Sequence, residues 1–311
     1  MTAGRRSVFA LLVLLSACND STGPGGTPGA GFTITVRYVD RTPPASAVVG
    51  AFNQAAAKWR TIIVDSVGSV QVRLAAGACD SSQPAINEQV KDLLILVHVR
   101  AISDTVPGQS ILGESGPCLV RDPGNIPVLG VMSLNSTTLT SLAGSGLLND
   151  VVKHELGHLL GFGTVWDLDR LLRDSTTNNP WFSGAEAQAA FRSADPSYSD
   201  KIVPVEAGGG AGTTLSHWRE SVMTNELMTG FIDNPGPNPL SAITIESMGD
   251  LGYTVDVSQA EPWPTPGNAM TAATGRRSPA SVVIVAAPHT LLRAPRFSVT
   301  RSGELRSLPS R

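Results

Sequence analysis

The segment His154–Trp166, with the sequence HELGHLLGFGTVW, constrains this chain more strongly than any other part of it. His154 and His158 are four residues apart, so on an α-helix their rings project from one face, one turn apart. Glu155 lies beside the first histidine, where its carboxylate can reach a bound water without being a ligand. The pattern predicts a helix that carries two ligands of a zinc ion and a general base. A catalytic zinc takes three protein ligands and keeps one position open, so a third ligand must lie elsewhere.

The helix that carries this motif is predicted to run from about Gly146 to Gly161. Gly161 can adopt the positive φ that ends a helix and turns the chain sharply. In the tightest form of such zinc sites the third ligand is a histidine ten residues after the first. Here that position is Thr164, whose hydroxyl is a poor substitute for an imidazole. The apolar side chains of the helix form a stripe that would pack into the core, at Leu148, Val152, Leu156 and Leu159.

The chain contains three further histidines. His98 lies in an apolar segment, which is typical of a buried core residue with satisfied hydrogen bonds, and His289 lies in an unusual C-terminal tail. His217 lies in the segment LSHWRESVMTNELMTGF, in which Met228 follows eleven residues later.

The order of these motifs resembles that in the leishmanolysin family of metzincin zinc proteases. HELGHLLGF comes first, followed by an insertion of dozens of residues, then by His-Trp-Arg-Glu and then by Glu-Leu-Met-Thr-Gly. The resemblance covers about Cys79 to Val257, and a bacterial lipoprotein form is the nearer comparison because the chain is shorter than the eukaryotic members. It implies that the third zinc histidine follows the insertion and that a methionine turn lies beneath the metal. It makes His154, His158 and His217 the ligands of one zinc ion, Glu155 the general base and Met228 the turn methionine.

The resemblance also implies the reaction, which is hydrolysis of peptide bonds in extracytoplasmic proteins or peptides. Zinc held by three neutral imidazoles lowers the pKa of its bound water toward about 7. Glu155 would take the proton as this water attacks, and would then deliver it to the leaving amine. Metzincin architecture further implies that the substrate lies extended along an edge strand, for which Val128–Asn135 is the candidate.

Two other functions compete with this interpretation. A gluzincin-type zinc peptidase would use a downstream glutamate as its third ligand, and the candidates are Glu186, Glu206 and Glu220. A non-catalytic surface lipoprotein that contains zinc or binds a partner would have no need of Glu155. Glu220 and Glu226 are open to two interpretations, either as partners that orient His217 or cap turns, or as plain surface carboxylates.

The N-terminus predicts export and anchoring. Arg5 and Arg6 precede the apolar run SVFALLVLLSA, which is too short to span a bilayer as a stable helix. Leu15–Cys18 resembles a bacterial lipobox, in which the cysteine is lipidated; an ordinary cleaved signal peptide is the alternative. We expect a lipoprotein anchored in the bacterial cell envelope through Cys18, on either the periplasmic or the cell-surface side.

The number of cysteines and the net charge of the chain limit which disulfides and which partners it can have. With Cys18 assigned to lipid, Cys79 and Cys118 remain, and in an exported chain one pair predicts one disulfide. The alternatives are two free thiols, or one thiol held as an inhibitory zinc ligand. The formal net charge of −3 disfavours a nucleic-acid partner. We expect a monomer.

We predict an α+β, metzincin-like fold, with a twisted mixed β-sheet in an N-terminal lobe, the active-site helix, and an irregular, mostly helical C-terminal lobe. Strands are predicted at 32–39, near 70, from 92, and at 128–135 on the edge of the sheet; further helices are predicted at 45–63, 166–172, 184–191 and 241–252. The predicted divisions are a signal peptide at 1–18, a Gly/Pro tether at 19–31, the N-terminal catalytic lobe at 32–163, the C-terminal lobe at 164–257 and a Pro/Arg-rich tail at 258–311. The tail is expected to be solvated or processed, with 281–287 as a candidate strand.

Overall fold

The structure is a computed structural model that describes residues 31–103, 111–196, 202–210, 212–233, 236–263 and 295–309. Predictions for Cys18, the tether up to residue 30, His289 and the strand at 281–287 lie outside these residues. In chain order, the elements are β1 (Ile34–Tyr38), α1 (Ser46–Ile62), β2 (Ser69–Leu74), β3 (Ile86–Lys91), β4 (Leu93–Arg100), β5 (Gly113–Asp122), β6 (Pro127–Asn135), α2 (Leu139–Ser145), α3 (Leu148–Leu159), β7 (Leu172–Arg173), β8 (Trp181–Phe182), α4 (Ala185–Ala194), β9 (Val203–Pro204), α5 (Glu220–Met223), α6 (Ala242–Asp250), β10 (Phe297–Thr300) and β11 (Leu305–Ser307).

A six-stranded mixed sheet forms the frame of the N-terminal lobe, in the order β1-β4-β6-β5-β10-β11. The strands β1, β4 and β6 are parallel, β5 is antiparallel to β6, and β10 is parallel to β5. The predicted mixed sheet is confirmed. The prediction that the apolar segment from residue 92 is a central strand is also confirmed, because β4 pairs on both sides.

The prediction that residues 128–135 form an edge strand is wrong, because β6 pairs with both β4 and β5. All nine residues of β6 are buried, and its glycine has a packing role. A Cβ on Gly130 would lie 2.3 Å from the Leu159 side chain and 3.0 Å from the Gly116 carbonyl oxygen. Gly130 therefore lets Leu159 of α3 pack closely on the sheet.

The neighbour that makes β6 an interior strand is β5, which the sequence did not predict. Its apolar pattern is interrupted by Gly116 and Pro117, and its register with β6 shifts on either side of Leu119. Cys118 in this irregular part forms a disulfide with Cys79, with an S–S distance of 1.97 Å. The disulfide joins β5 to the loop between β2 and β3.

The sheet is covered on both faces. On one face, α1 and α3 pack together, and the Trp59 indole nitrogen donates a hydrogen bond to the Lys153 carbonyl oxygen at 2.9 Å. The antiparallel pair of β2 and β3 covers the second face. His98 lies on this second face, where its ring nitrogens are 2.9 Å from an Asp40 carboxylate oxygen and 3.3 Å from the Ser82 hydroxyl. The prediction that His98 is a buried, hydrogen-bonded residue is confirmed.

The C-terminal lobe is built from turns, short strands and the helices α4, α5 and α6, of which α4 and α6 pack together. The helix predicted at 166–172 is wrong. The backbone N–H groups of Leu171 and Leu172 both point to the Trp166 carbonyl oxygen, and Arg170 has a positive φ of 56°, so the chain turns there. The predictions of α4 and α6 are confirmed, and Gly252, with φ 98°, follows the end of α6 as expected.

Part of the tail belongs to the main sheet, so the expectation of a solvated tail is wrong for residues 295–309. β10 pairs with Leu119–Asp122 of β5, and β11 forms a hairpin with β10. The polar composition of this segment predicted no ordered structure, but its backbone hydrogen bonds to β5 and within the hairpin hold it in the sheet. No helix in the described part of the chain combines the length and apolar character needed to cross a bilayer.

Candidate metal centre

The motif lies on α3, as predicted. The side chains of His154, Glu155 and His158 are fully buried between the sheet and the C-terminal lobe. The helix ends at Leu159, and Gly161 adopts a positive φ of 114°, which confirms the predicted sharp turn. The Thr164 hydroxyl donates to the His158 carbonyl oxygen at 2.8 Å, so this residue caps the end of the helix.

His217 arrives at the same point from the C-terminal lobe. A series of turns precedes it. The next residue, Trp218, forms isolated β-bridges through its backbone with Val205 on one side and Thr229 on the other. Its Nε2 atom is 3.1 Å from Nε2 of His154 and 3.0 Å from Nε2 of His158, and the latter two atoms are 3.0 Å apart. Among the described residues, these three histidines are the only group of three or more potential ligands close enough to hold one metal ion. Glu186, Glu206 and Glu220 are not part of it.

The other nitrogen of each ring is held by a backbone carbonyl. Nδ1 of His154 lies 2.7 Å from the Leu227 oxygen, Nδ1 of His158 lies 2.9 Å from that of Phe162, and Nδ1 of His217 lies 3.1 Å from that of Thr213. Because a carbonyl oxygen only accepts hydrogen bonds, each Nδ1 carries the proton and each neutral Nε2 presents a lone pair. Three lone pairs about 3 Å apart repel one another unless a cation lies between them. The donor set therefore fits zinc.

Burial keeps these imidazoles neutral. It lowers the pKa of His154 to about 4 and that of His158 to about 3, where the neighbouring His154 adds to the effect. The pKa of His217 is also lowered well below its usual value, by burial and by the other two rings. Metal binding requires neutral imidazole, so the three histidines are in the form that can bind a metal at neutral pH.

Glu155 is held by β5 across the site. The Ser115 hydroxyl lies 2.6 Å from Oε2 and 2.9 Å from the backbone oxygen of Glu155, whereas Oε1 is buried and has no hydrogen-bond partner. A Cβ on Gly113 would lie 3.0 Å from Oε1, so the glycine makes room for the carboxylate. Burial raises the pKa of Glu155 to about 7. The sequence did not identify Ser115 or Gly113, since neither belongs to a motif and β5 was not predicted.

Met228 packs beneath the motif helix. Its side chain is fully buried, and a Cβ on Gly157 would lie 2.8 Å from its Cε and 2.9 Å from its sulfur. Gly157 lies between His154 and His158 in the sequence, so the methionine supports the helix at the position of these two histidines. Glu226, two residues before Met228, is fully buried and is not a surface carboxylate.

We expect the metal-free protein to lose stability as the pH falls below about 6.5, the pKa of histidine in an unfolded chain. The folded-state pKa values of about 4 for His154 and about 3 for His158 mean that the unfolded state binds more protons in this window, so the free energy of unfolding falls with pH. Buried carboxylates with raised pKa values, among them Glu155 at about 7 and Glu226, act in the opposite direction as the pH falls. The histidine contribution is therefore measured against a variant that lacks one imidazole.

Thermal unfolding with a chelator at pH 7, 6 and 5 measures this effect. The variant His158→Gln, which lacks one of the three imidazoles, should show a shallower decline. Equal slopes for the parent and the variant would contradict the prediction.

Comparison with known proteins gives an independent result. A family profile described as leishmanolysin matches residues 84–273. The chain is 30% identical over 174 residues to leishmanolysin of Leishmania donovani, covering 53% of this chain and 29% of that protein. It is 28% identical over 161 residues to a leishmanolysin homolog of Crithidia fasciculata, covering 48% of this chain and 23% of that protein. The matched region thus spans less than a third of either relative, while the family profile covers more than half of this chain. The chain belongs to the leishmanolysin family.

Proposed function

We propose that the protein is a zinc-dependent metalloendopeptidase. The observation that carries the proposal is the convergence of three neutral Nε2 atoms in a buried site, next to a carboxylate that has one oxygen unpartnered. A site that only held a metal for structural purposes would have no use for a buried carboxylate with an unused acceptor, which costs free energy. Membership of the leishmanolysin family supports the same activity and implies protein or peptide substrates.

The roles of the residues follow from their contacts. A zinc ion bound by the three histidines would lower the pKa of a coordinated water toward about 7 and stabilise charge on the scissile carbonyl oxygen. Glu155, with a pKa of about 7, is suited to accept a proton from the attacking water and return it to the leaving amine near neutral pH. Ser115 holds Oε2, which leaves Oε1 as the atom available for proton transfer.

We place the extended substrate along β5, in place of the strand Val128–Asn135. Among the described residues, β10 pairs only with Leu119–Asp122, so Gly113–Pro117 has no strand on its second side. Gly113 and Ser115 both contact Glu155, so a peptide paired with this segment would pass beside the general base. Main-chain hydrogen bonds would then align the scissile bond.

Zinc content and cleavage of an unfolded protein substrate test the proposal. Glu155→Gln should retain zinc and lower kcat by at least about 10²-fold, because it removes the base but no ligand. His217→Ala should lose both tight zinc binding and activity. Glu186→Gln, which changes an exposed carboxylate on α4, is the control and should retain both. Full activity in Glu155→Gln, or tight zinc in His217→Ala, would refute the assigned roles.

Ser115→Ala tests the orientation of the base. The hydroxyl binds a carboxylate, and its loss should lower kcat about 10-fold, with KM and zinc content unchanged. Ser133→Ala is a matched control, because Ser133 is also a fully buried serine of the sheet and pairs with Glu114 on the opposite face from Ser115. A kcat for Ser115→Ala equal to that of Ser133→Ala would show that the hydroxyl does not position Glu155.

We further propose that the protein is exported and anchored to a membrane of the bacterial envelope by a lipid on Cys18. The proposal is supported by the segment Leu15–Cys18 and by the disulfide between Cys79 and Cys118, since disulfides persist in oxidising compartments. In a bacterial host, the parent should fractionate with membranes and Cys18→Ser should not. An identical distribution of the two would argue against lipidation.

A further inference from the structure

Glu226 is a fully buried carboxylate that accepts four hydrogen bonds. Its Oε2 atom accepts from the backbone N–H of Met228 at 2.5 Å. Its Oε1 atom accepts from the backbone N–H and the hydroxyl of Ser241 at 3.0 and 2.9 Å, and from the Thr244 hydroxyl at 2.6 Å. Ser241 is the N-cap residue of α6. One carboxylate therefore joins the turn that contains Met228 to the start of α6, where a negative charge is favourable.

The turn held by Glu226 contacts one proposed zinc ligand directly and contacts the residue that follows another. The carbonyl of Leu227, the residue after Glu226, accepts the Nδ1 hydrogen bond of His154 at 2.7 Å. The carbonyl of Met228 accepts from the backbone N–H of Trp218, the residue after His217, at 3.0 Å.

A second connection runs through α6. The Thr244 hydroxyl donates to Glu226 and accepts from the Trp218 indole nitrogen at 2.8 Å. Glu226 is therefore linked to the segment that carries His217 through both the turn and the helix. It touches neither imidazole itself.

We propose that Glu226 is a positioning residue that holds the Leu227 carbonyl and the Trp218 segment in place, and thereby orients His154 and His217 for zinc. The inference rests on the zinc centre proposed above. It assigns the buried charge a role in metal affinity, in addition to the stability that its hydrogen bonds supply.

The isosteric variant Glu226→Gln breaks this network at a defined point. A carboxylate offers two acceptor oxygens, whereas an amide offers one oxygen and an NH2 group. In either orientation of the amide, the NH2 group faces a backbone N–H, that of Met228 or that of Ser241. A backbone N–H cannot become an acceptor, so one of these two contacts must be lost.

Asp92 provides a matched control away from the three histidines. Its carboxylate is fully buried and accepts from the Ser66 hydroxyl and from the backbone N–H groups of Thr33, Val67 and Gly68. Asp92→Asn makes the same chemical change, and asparagine tolerates the positive φ of 55° at this position. Both variants should unfold at a lower temperature than the parent, because both lose hydrogen bonds to a buried carboxylate.

The experiment measures zinc Kd by competition with a chelator on the full chain, and the visible spectrum of the Co²⁺-substituted protein. Glu226→Gln should weaken zinc about 10- to 100-fold and alter the Co²⁺ bands, because the imidazoles are no longer held at their positions. Asp92→Asn should leave both unchanged despite its lower unfolding temperature. If Glu226→Gln does not fold, Thr244→Val should also weaken zinc binding, and Thr244→Ser, which keeps the hydroxyl, should restore it.

Two results would overturn the inference, and they are distinguishable. In the first, the parent binds zinc tightly, but Glu226→Gln (or Thr244→Val in its place) has the same zinc Kd and Co²⁺ spectrum as Asp92→Asn. Glu226 then has only a structural role, and the proposed zinc centre is unaffected. If the parent itself binds no zinc, the proposed zinc centre fails and this inference fails with it.

Discussion

The mutual repulsion of three neutral imidazoles is the constraint on which the rest of this structure depends. Their Nε2 atoms lie within 3.1 Å of one another, and burial removes the water that would otherwise separate them. The arrangement persists because each ring is held by a carbonyl from a different turn, at Phe162, Thr213 and Leu227. The helix supplies only two of the rings. The site exists because two turns of the C-terminal lobe, at Thr213 and Leu227, are packed against that helix and the turn that ends it.

Two buried carboxylates in this region differ in how their oxygens are used. Glu226 accepts four hydrogen bonds, and both of its oxygens are occupied. Glu155 accepts a hydrogen bond from Ser115 on one side chain oxygen and has the other oxygen unpartnered. A carboxylate whose oxygens both accept hydrogen bonds suits a fixed support, whereas an unpartnered oxygen is free to accept a proton. Burial raises the pKa of both residues, so the difference between them lies in their hydrogen bonds. The same residue type therefore serves as support in one place and is suited to proton transfer in the other.

The sequence predicted the elements whose signal is local. The spacing of His154, Glu155 and His158 requires a helix, and Gly161 marks its end, so both could be predicted from one segment. The third histidine could be predicted only through the family resemblance around His217 and Met228. Long-range strand pairing could not be predicted from the sequence. Gly116 and Pro117 interrupt the apolar pattern of β5, and one of its partner strands comes from the distant tail. The supports of the site were also missed, since Leu227, Phe162 and Thr213 act through carbonyl groups that every residue has.

The pairing of Phe297 with Leu119 has a consequence for the order in which the chain folds. The strands β4, β5 and β6 are near neighbours in sequence, so their pairings close short loops. β10 must return from the far end of the described chain, and closing such a long loop carries a larger entropic cost that is recovered only when the strand docks. We therefore expect the sheet to be completed by β10 and β11 after its other strands have paired.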